Sequence, residues 1–239
     1  MRPAPAGSRR IEKPPVQLLS RLQELIGGVY DVRVAHDVYD FLVTDRAHLP
    51  AAAGAGGAQE ELLVAQSADG AELALSLYLD PALLQRLARA DPLENLNAGN
   101  VADWLTALEG VSHFLYLTWN ALHDKPVSVL ELEMQAEVDK FVASHLLLRR
   151  QWPGHFPLEL RRLLFERARP DPRLEAPRAA LYREASEYAA RYCRRLERGL
   201  ARARARSRPG CEEGEVFTEL RRFYRLSNAR KRAHIERTS

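Results

Sequence analysis

Residues 111–142 read VSHFLYLTWNALHDKPVSVLELEMQAEVDKFV, a largely apolar stretch with a few polar side chains at helical spacing. Apolar residues recur with a helical period on both sides of a short break at Asp124, Lys125 and Pro126. Proline cannot continue a helix, and it disfavours helical geometry in the residue before it. The stretch therefore predicts two helices, over 101–123 and 127–149, that fold back on each other as an antiparallel hairpin.

A narrow polar stripe follows the first of these helices. At about 100° per residue, its side chains fall within an arc of about 100°. They are Glu109, Ser112, His113, Tyr116, Asn120 and His123. Most are uncharged hydrogen-bonding groups rather than the Lys, Arg and Glu of a solvated face, which indicates that the stripe is covered. The second helix carries a similar stripe of Glu133, Glu137, Lys140 and Ser144.

Antiparallel packing brings the two stripes together in one candidate polar cluster. We expect His113 to lie level with Glu137 and Tyr116 level with Glu133, and Glu109 of the first stripe completes the candidate cluster. Histidine and carboxylates that converge from facing helices can hold a divalent metal, with His113 and Glu137 as the candidate ligands. The spacing departs from carboxylate-bridged dimetal bundles, because it lacks their repeated Glu-x-x-His pair.

Two other interpretations of the cluster stay open. A glutamate beside a histidine can act as a general base in hydrolysis, although no nucleophile motif accompanies it. Alternatively, a buried polar network fixes the register of the packed helices, with Glu137 and Lys140 as an ordinary ion pair within one helix. The absence of a motif favours this structural interpretation. No cofactor is predicted, although the cluster could accept a divalent metal ion.

The segment before the hairpin predicts a short tail, one helix and several strands. Residues 1–13 lack periodicity, and Pro14 opens a helix that Gly27 and Gly28 are expected to stop. YDVRVA and VYDFLVTD, from Tyr30 to Asp45, have the composition of two strands. ELLVAQSADGAELALSLYL, residues 61–79, has two extended runs around Asp69 and Gly70, which is typical of a tight hairpin.

After Asp80 the period becomes helical and stays so. Helices are predicted at 81–90, 101–123, 127–149, 157–168, 174–206 and 215–235. We therefore predict an α+β protein with a small antiparallel sheet of about four strands near the N-terminus, followed by a larger α-helical bundle. The tail of 1–13 precedes an α+β part over 14–95 and a helical part over 96–239, and these two parts can share one core.

The charge divides along the chain. Residues 149–239 hold 24 Lys and Arg against 12 Asp and Glu, whereas residues 1–148 hold 11 against 20. A basic C-terminal half can contact a nucleic acid or an acidic partner, or it can pack against the acidic half of its own chain. Arginine supplies 31 of the 35 basic residues, as expected from a coding sequence rich in G and C, so arginine content alone decides little.

The basic side chains concentrate on the last helices. Helix 174–206 has an apolar seam that includes Tyr182, Tyr188 and Tyr192, with arginines over the rest of its surface. Arginine with interleaved tyrosine can bind phosphates and stack on bases. The candidate contacts to a nucleic acid or a protein partner are Arg191, Arg194, Arg195, Arg198, Arg202, Arg221, Arg222 and Arg225.

Several functional classes are disfavoured by what the sequence lacks. It has no apolar run of transmembrane length, no signal-peptide core, no phosphate-binding glycine loop, and only two cysteines without metal-ligand spacing. We interpret the chain as a cytoplasmic interaction or regulatory protein that acts on a protein partner through helical surfaces rather than through catalytic turnover. The alternatives are a nucleic-acid-binding protein that uses the arginine helices, and a metal-dependent or hydrolytic enzyme that uses the polar cluster.

Overall fold

The computed structural model describes residues 18–49, 58–66, 73–166, 175–205 and 214–238. Within them, the helices are α1 Leu18–Tyr30, α2 Pro81–Arg89, α3 Val101–Ala121, α4 Val129–Gln151, α5 Glu159–Phe165, α6 Ala176–Ala205, α7 Gly214–Tyr224 and α8 Asn228–Thr238. The strands are β1 Leu42–Val43, β2 Glu60–Gln66 and β3 Leu73–Leu79. The α+β class is confirmed. The predicted tail, its prolines and the Asp69-Gly70 turn lie outside the described residues.

The sheet has three strands in the order β1-β3-β2. β2 and β3 pair antiparallel, with Glu60 opposite Leu79, as predicted for the hairpin. β1 pairs parallel to β3 over two residues, with Leu42 opposite Leu77. The prediction of about four antiparallel strands is therefore wrong, since the sheet is smaller and mixed.

The predicted strand VYDFLVTD is mostly a 3-10 turn, Val38–Phe41. Asp37 caps this turn, because its carboxylate accepts hydrogen bonds from the backbone N–H of Tyr39 and from the hydroxyl of Ser20. The β-branched and aromatic side chains in this segment pack into the core instead of forming a strand. Val38, for example, is completely buried.

The predicted strand YDVRVA is also wrong, because α1 continues through Gly27 and Gly28 and ends only at Tyr30. The chain then turns back, so that the backbone N–H of Val32 donates to the carbonyl of Gly27 at 3.0 Å. A Cβ on Gly27 would lie 2.9 Å from the carbonyl oxygen of Val32. Gly27 therefore permits a close return of the chain and does not stop the helix.

The antiparallel hairpin of α3 and α4 is present, and polar contacts fix its register. Trp104 Nε1 donates to Ser144 Oγ at 2.8 Å, and Ser112 donates to Asp139 at 2.5 Å. Residues later in α3 contact residues earlier in α4, as expected for antiparallel helices. α3 is buried on most of its circumference because α1 and the sheet pack on the side that α4 leaves free.

The C-terminal segment forms two helices where one was predicted over 215–235. α7 ends at Tyr224, and Arg225 donates to the backbone oxygens of Tyr30 and Asp31 at the end of α1. The backbone oxygen of Ser227 accepts the N–H of Lys231, which starts the next helix. This bend lets α8 fold back against the bundle, where Lys231 and Ile235 are buried.

No helix among the described residues is long and apolar enough to cross a membrane.

Candidate metal centre

His113 lies between two carboxylates contributed by different elements. Its Nδ1 is 3.6 Å from Glu60 Oε1 at the start of β2, and its Nε2 is 3.6 Å from Glu133 Oε2 in α4. These distances are too long for hydrogen bonds, so the contacts are electrostatic. His113 and Glu133 are only 5% and 7% exposed. The imidazole is therefore held under the surface by charge rather than by hydrogen bonds.

Gly110 allows the sheet to reach this position. A Cβ on Gly110 would lie 2.9 Å from Leu77 Cδ1 and 3.0 Å from Glu60 Cγ. Because Gly110 has no side chain, β2 packs directly against α3 about one turn before His113. Glu60 was missed from the sequence because it is distant along the chain, and the glycine within an otherwise apolar helix was the one available signal of a close approach.

Lys140 binds two glutamates at the side of the centre where Glu109 is partly exposed. Its ammonium donates to Glu109 Oε2 at 2.7 Å and to Glu137 Oε1 at 2.8 Å. The predicted ion pair between Glu137 and Lys140 is confirmed. The predicted pairing of His113 with Glu137 is wrong, because Glu133, one turn earlier in α4, occupies that level. Glu137 is therefore engaged by Lys140 and is not the carboxylate that faces the imidazole.

Tyr116 does not join the centre either. Its hydroxyl donates to Glu131 at 2.5 Å and not to Glu133. Burial, together with the adjacent Glu131 carboxylate, raises the pKa of Tyr116. Of the five predicted cluster residues, Glu109, His113 and Glu133 converge, and their donor atoms lie within 4.8 Å of one another.

The centre carries an excess of negative charge. It brings together the carboxyl groups of Glu60, Glu109, Glu133 and Glu137 around Lys140 and the imidazole. Even with a protonated imidazole, the four carboxyl groups outnumber the two cationic groups. Buried like charges that are not compensated are costly, so the arrangement favours an added cation.

The pKa values reflect this crowding. Burial opposes the charged form of His113, but the facing carboxylates Glu133 and Glu60 outweigh it and raise its pKa well above the ordinary value. Burial raises the pKa of Glu60. Burial also favours the neutral form of Glu109, but Lys140 and His113 outweigh it and lower its pKa. Glu109 is thus an ionised carboxylate at neutral pH.

Two donor atoms of the centre are buried and lack a hydrogen-bond partner within the described chain, namely Glu60 Oε1 and His113 Nε2. Buried polar atoms are nearly always satisfied, so an unsatisfied pair in one place requires an explanation. An ion bound at Nε2, on the side of Glu133, provides one for the nitrogen, and Glu60 Oε1 would then face the protonated Nδ1. The donor set of one imidazole and several carboxylates suits first-row divalent ions.

The first turns of α6 form the rim of the centre. Tyr182 is half-buried, and Arg178, which is exposed, donates to the Tyr182 hydroxyl at 3.4 Å. Burial, reinforced by the nearby carboxylate of Glu133, raises the pKa of Tyr182 to about 12. On the same side, the Glu109 side chain is 25% exposed. Solvent therefore reaches the edge of the centre at Glu109.

The arginines predicted as partner contacts lie mostly on the solvent side of α6 and α7. Arg191, Arg194, Arg198, Arg202, Arg221, Arg222 and Arg225 are exposed, and Arg195 is half-buried. Three of them already have structural contacts, since Arg191 packs over the ring of Tyr188, Arg195 lies 3.7 Å from Glu219 and Arg225 binds the end of α1. The interleaved rings of Tyr188 and Tyr192 are 7% and 1% exposed, so they are not available to stack on bases.

No family model, curated protein or solved structure matches the chain.

Proposed function

We propose that this protein binds one divalent transition-metal ion through Glu109, His113 and Glu133, with Glu60 facing the other nitrogen of the His113 ring, and uses the ion to activate water for hydrolysis. The observation that carries the proposal is the convergence of donor atoms of Glu109, His113 and Glu133 within 4.8 Å of one another. These three residues lie on α3 and α4, and Glu60 approaches from β2, so the folded core holds them in place.

The spacing of the donors fits an ion at their centre. Two ligand atoms that are each about 2.1 Å from one metal lie about 3.0–4.2 Å apart for angles between 90° and 180°. His113 is 3.6 Å from a carboxylate oxygen on both sides. One imidazole nitrogen can bind the ion, and the other can then bind the remaining carboxylate, as ligating histidines usually do.

Charge and donor type favour particular ions. The excess of carboxylate over cationic groups suits a doubly charged ion, and the imidazole favours Zn²⁺, Fe²⁺ or Mn²⁺ over Mg²⁺ and Ca²⁺. Lys140 holds Glu109 in position by a 2.7 Å contact. Such support of a ligand by a neighbouring group commonly changes metal affinity about 10- to 100-fold.

The proposed hydrolysis depends on the partly exposed edge of the centre at Glu109. A divalent ion lowers the pKa of a bound water and supplies a hydroxide near neutral pH. Its protein ligands occupy the buried side, and the edge at Glu109 leaves a direction from which water and a substrate can approach. Ester or phosphoester hydrolysis is the reaction class that this arrangement supports.

The first test measures metal binding directly. Protein stripped with a chelator and then titrated with Zn²⁺ or Mn²⁺ should take up one ion per chain, as measured by calorimetry and by elemental analysis after gel filtration. Glu133→Gln and His113→Ala should each weaken binding by at least about 10-fold. His155→Ala is the matched control, because His155 is exposed and distant in sequence from the centre.

The second test measures turnover. The metal-loaded protein should release p-nitrophenolate from p-nitrophenyl acetate or bis-p-nitrophenyl phosphate, and the Glu133→Gln variant should not. Metal binding without turnover on either substrate would reject hydrolysis and keep the metal site. An absence of stoichiometric metal binding would reject both parts of the proposal.

Binding of another macromolecule through helical surfaces is a second candidate, and the exposed arginines of α6 favour it. This role does not depend on the metal centre. Loss of a binding partner on charge reversal of these arginines, with metal uptake unchanged, would support it.

A further inference from the structure

Five arginines define one face of α6, which we call the arginine face: Arg191, Arg194, Arg195, Arg198 and Arg202. On a helix they fall within an arc of about 100° and extend over about 16 Å. The buried residues of α6, among them Tyr192 and Leu196, occupy the opposite side. The arginine face therefore points to solvent, away from the metal centre.

No acidic side chain of α6 interrupts this face between residues 191 and 202, and Glu219 of α7 contacts its edge, 3.7 Å from Arg195. Glu197 is the single acidic residue between 191 and 202, and it lies to the side, where it pairs with Arg161 at 3.2 Å. Arg191 packs over the ring of Tyr188. Throughout the part of the chain that the structure describes, Arg194, Arg198 and Arg202 form no ion pair.

The acidic half of the chain does not neutralise these charges. The basic C-terminal half satisfies its own glutamates, since Arg161 pairs with Glu197 and Arg232 pairs with Glu184. In the acidic half, Arg21 likewise pairs with Asp91. Each of these ion pairs thus joins two residues of the same half and does not connect the acidic half with the basic half. The arginine face therefore keeps its positive potential at the surface.

We propose that the arginine face binds the phosphate backbone of a nucleic acid. Guanidinium groups recur every three or four residues, about 5–6 Å apart along the helix, and each can bind a phosphate through two parallel N–H groups. With Tyr188 and Tyr192 buried, no ring on this face can stack on a base. Binding therefore reads the charge and shape of the backbone and not the sequence.

An acidic protein surface fits this face less well. Stable protein interfaces have a central cluster of aromatic or aliphatic anchors inside a polar rim. The exposed large apolar side chains of the described residues are Val64, Leu122, Val129, Trp152, Leu158 and Leu163, and none of them is on α6. A face with arginines and no apolar anchor is suited to a polyanion.

The test measures binding of the full chain to a fluorescein-labelled 24-base-pair DNA duplex by anisotropy, in buffer with EDTA so that the metal centre cannot contribute. The triple variant Arg194→Glu, Arg198→Glu, Arg202→Glu should weaken binding at least about 100-fold. Affinity of the natural chain should also fall about 100-fold between 50 and 200 mM salt, as expected for about four released counterions.

A matched control changes the same net charge elsewhere. Arg33, Arg89 and Arg150 are exposed and lie on other elements than α6, so replacing all three with Glu should leave most of the affinity. Equal loss in both triple variants would overturn the proposal, because it would show dependence on net charge alone. Absence of binding at 50 mM salt would also overturn it. So would displacement of the duplex by polyglutamate at equal charge, which would indicate an acidic protein partner. Circular dichroism on each variant verifies that it is folded.

Discussion

Lys231 of α8 donates a 2.5 Å hydrogen bond to the side-chain oxygen of Gln135 in α4, and neither side chain is exposed to solvent. The ammonium also lies 4.4 Å from the ring centre of Tyr116 and 4.9 Å from that of Phe223. Ring faces attract a cation, and Gln135 is held in turn by Asp139 at 2.8 Å. A buried lysine therefore fastens the C-terminal helix to the central hairpin.

Replacing this lysine should change how stability depends on pH. Burial lowers the pKa of Lys231 to about 7, although Glu131 and Asp139 oppose the shift. Between pH 7 and the unfolded value of 10.5 the unfolded chain binds the extra proton, so this group makes the folded state more stable as pH rises. The unfolding free energy of the natural chain minus that of Lys231→Met should therefore increase by up to about 1.4 kcal/mol for each unit by which pH rises.

Urea unfolding at pH 7.0 and pH 8.5 measures that difference. Working below pH 9 avoids the buried thiol of Cys193, whose pKa burial raises and which would reduce stability at more alkaline pH. A difference that stays constant between the two pH values would mean that Lys231 keeps its proton throughout this range.

Gly110→Ala should destabilise the protein, against the usual rule for helices. Alanine in a helix interior is favoured over glycine by about 1 kcal/mol. At Gly110 the added Cβ would meet Leu77 at 2.9 Å and Glu60 at 3.0 Å. We expect a loss of about 1–3 kcal/mol from overpacking and weaker metal binding, since the strand that carries Glu60 must move.

Gly199→Ala provides the matched control in α6. The nearest atom to a Cβ at that position is Val216 Cγ2 at 3.6 Å, an ordinary contact. This variant should gain up to about 1 kcal/mol from helix propensity, measured by the same denaturant titration. A gain in stability at both glycines would show that the sheet packs loosely on α3.

The hairpin of α3 and α4 was predictable because its period and its Pro126 break are local signals that agree with each other. Its register was not. The sequence pattern placed Glu137 opposite His113, whereas the structure has Glu133 there. The actual register is set by contacts such as Ser112 with Asp139, which depend on how two surfaces interlock and not on the periodicity of either one.

Long-range contacts also explain the other differences. Glu60 enters the centre because the sheet packs on Gly110, and no local pattern connects residues that are fifty positions apart. The break after Tyr224 follows from the attachment of Arg225 to the end of α1, while the sequence over 215–235 remains helical in period. In both places the structure is determined by packing between distant segments and not by the local sequence pattern.

His145→Phe should stabilise the protein. His145 is buried, and neither ring nitrogen has a hydrogen-bond partner in the described structure. Its ring lies between Phe141 and Phe156, beside a small cavity of about 10 Å³ lined by apolar side chains such as Leu196 and Leu220. In these apolar surroundings we expect a gain of about 1–3 kcal/mol at pH 7 from removing an unsatisfied polar group.

The gain should be larger in acid. Burial, assisted by Arg149, lowers the pKa of His145 to about 4. Between pH 6.5 and pH 4 the unfolded chain binds a proton that the folded chain excludes, so the natural protein loses stability as pH falls. Urea titrations at pH 7 and pH 5 measure the effect, with exposed His155→Phe as control. A destabilised His145→Phe at both pH values would contradict this account.

Metal and protons should compete for His113. The facing carboxylates of Glu133 and Glu60 outweigh burial and raise its pKa, so the metal-free imidazole carries a proton at neutral pH. A metal ion binds only the deprotonated ring, hence binding must release that proton. Below the pKa of His113, metal affinity should therefore fall about tenfold for each unit of pH.

Calorimetric Zn²⁺ titrations between pH 6 and pH 8, in two buffers with different ionisation enthalpies, count the released protons. We expect about one proton per ion. Glu133→Gln removes the largest favourable contribution to the charged ring, so the pKa of His113 should fall in this variant, which the imidazole carbon resonance measures by NMR. Proton release on metal binding should fall with it. Zinc affinity that does not change with pH would contradict this account, because it would place the ion away from His113. The imidazole would then stay protonated between Glu60 and Glu133.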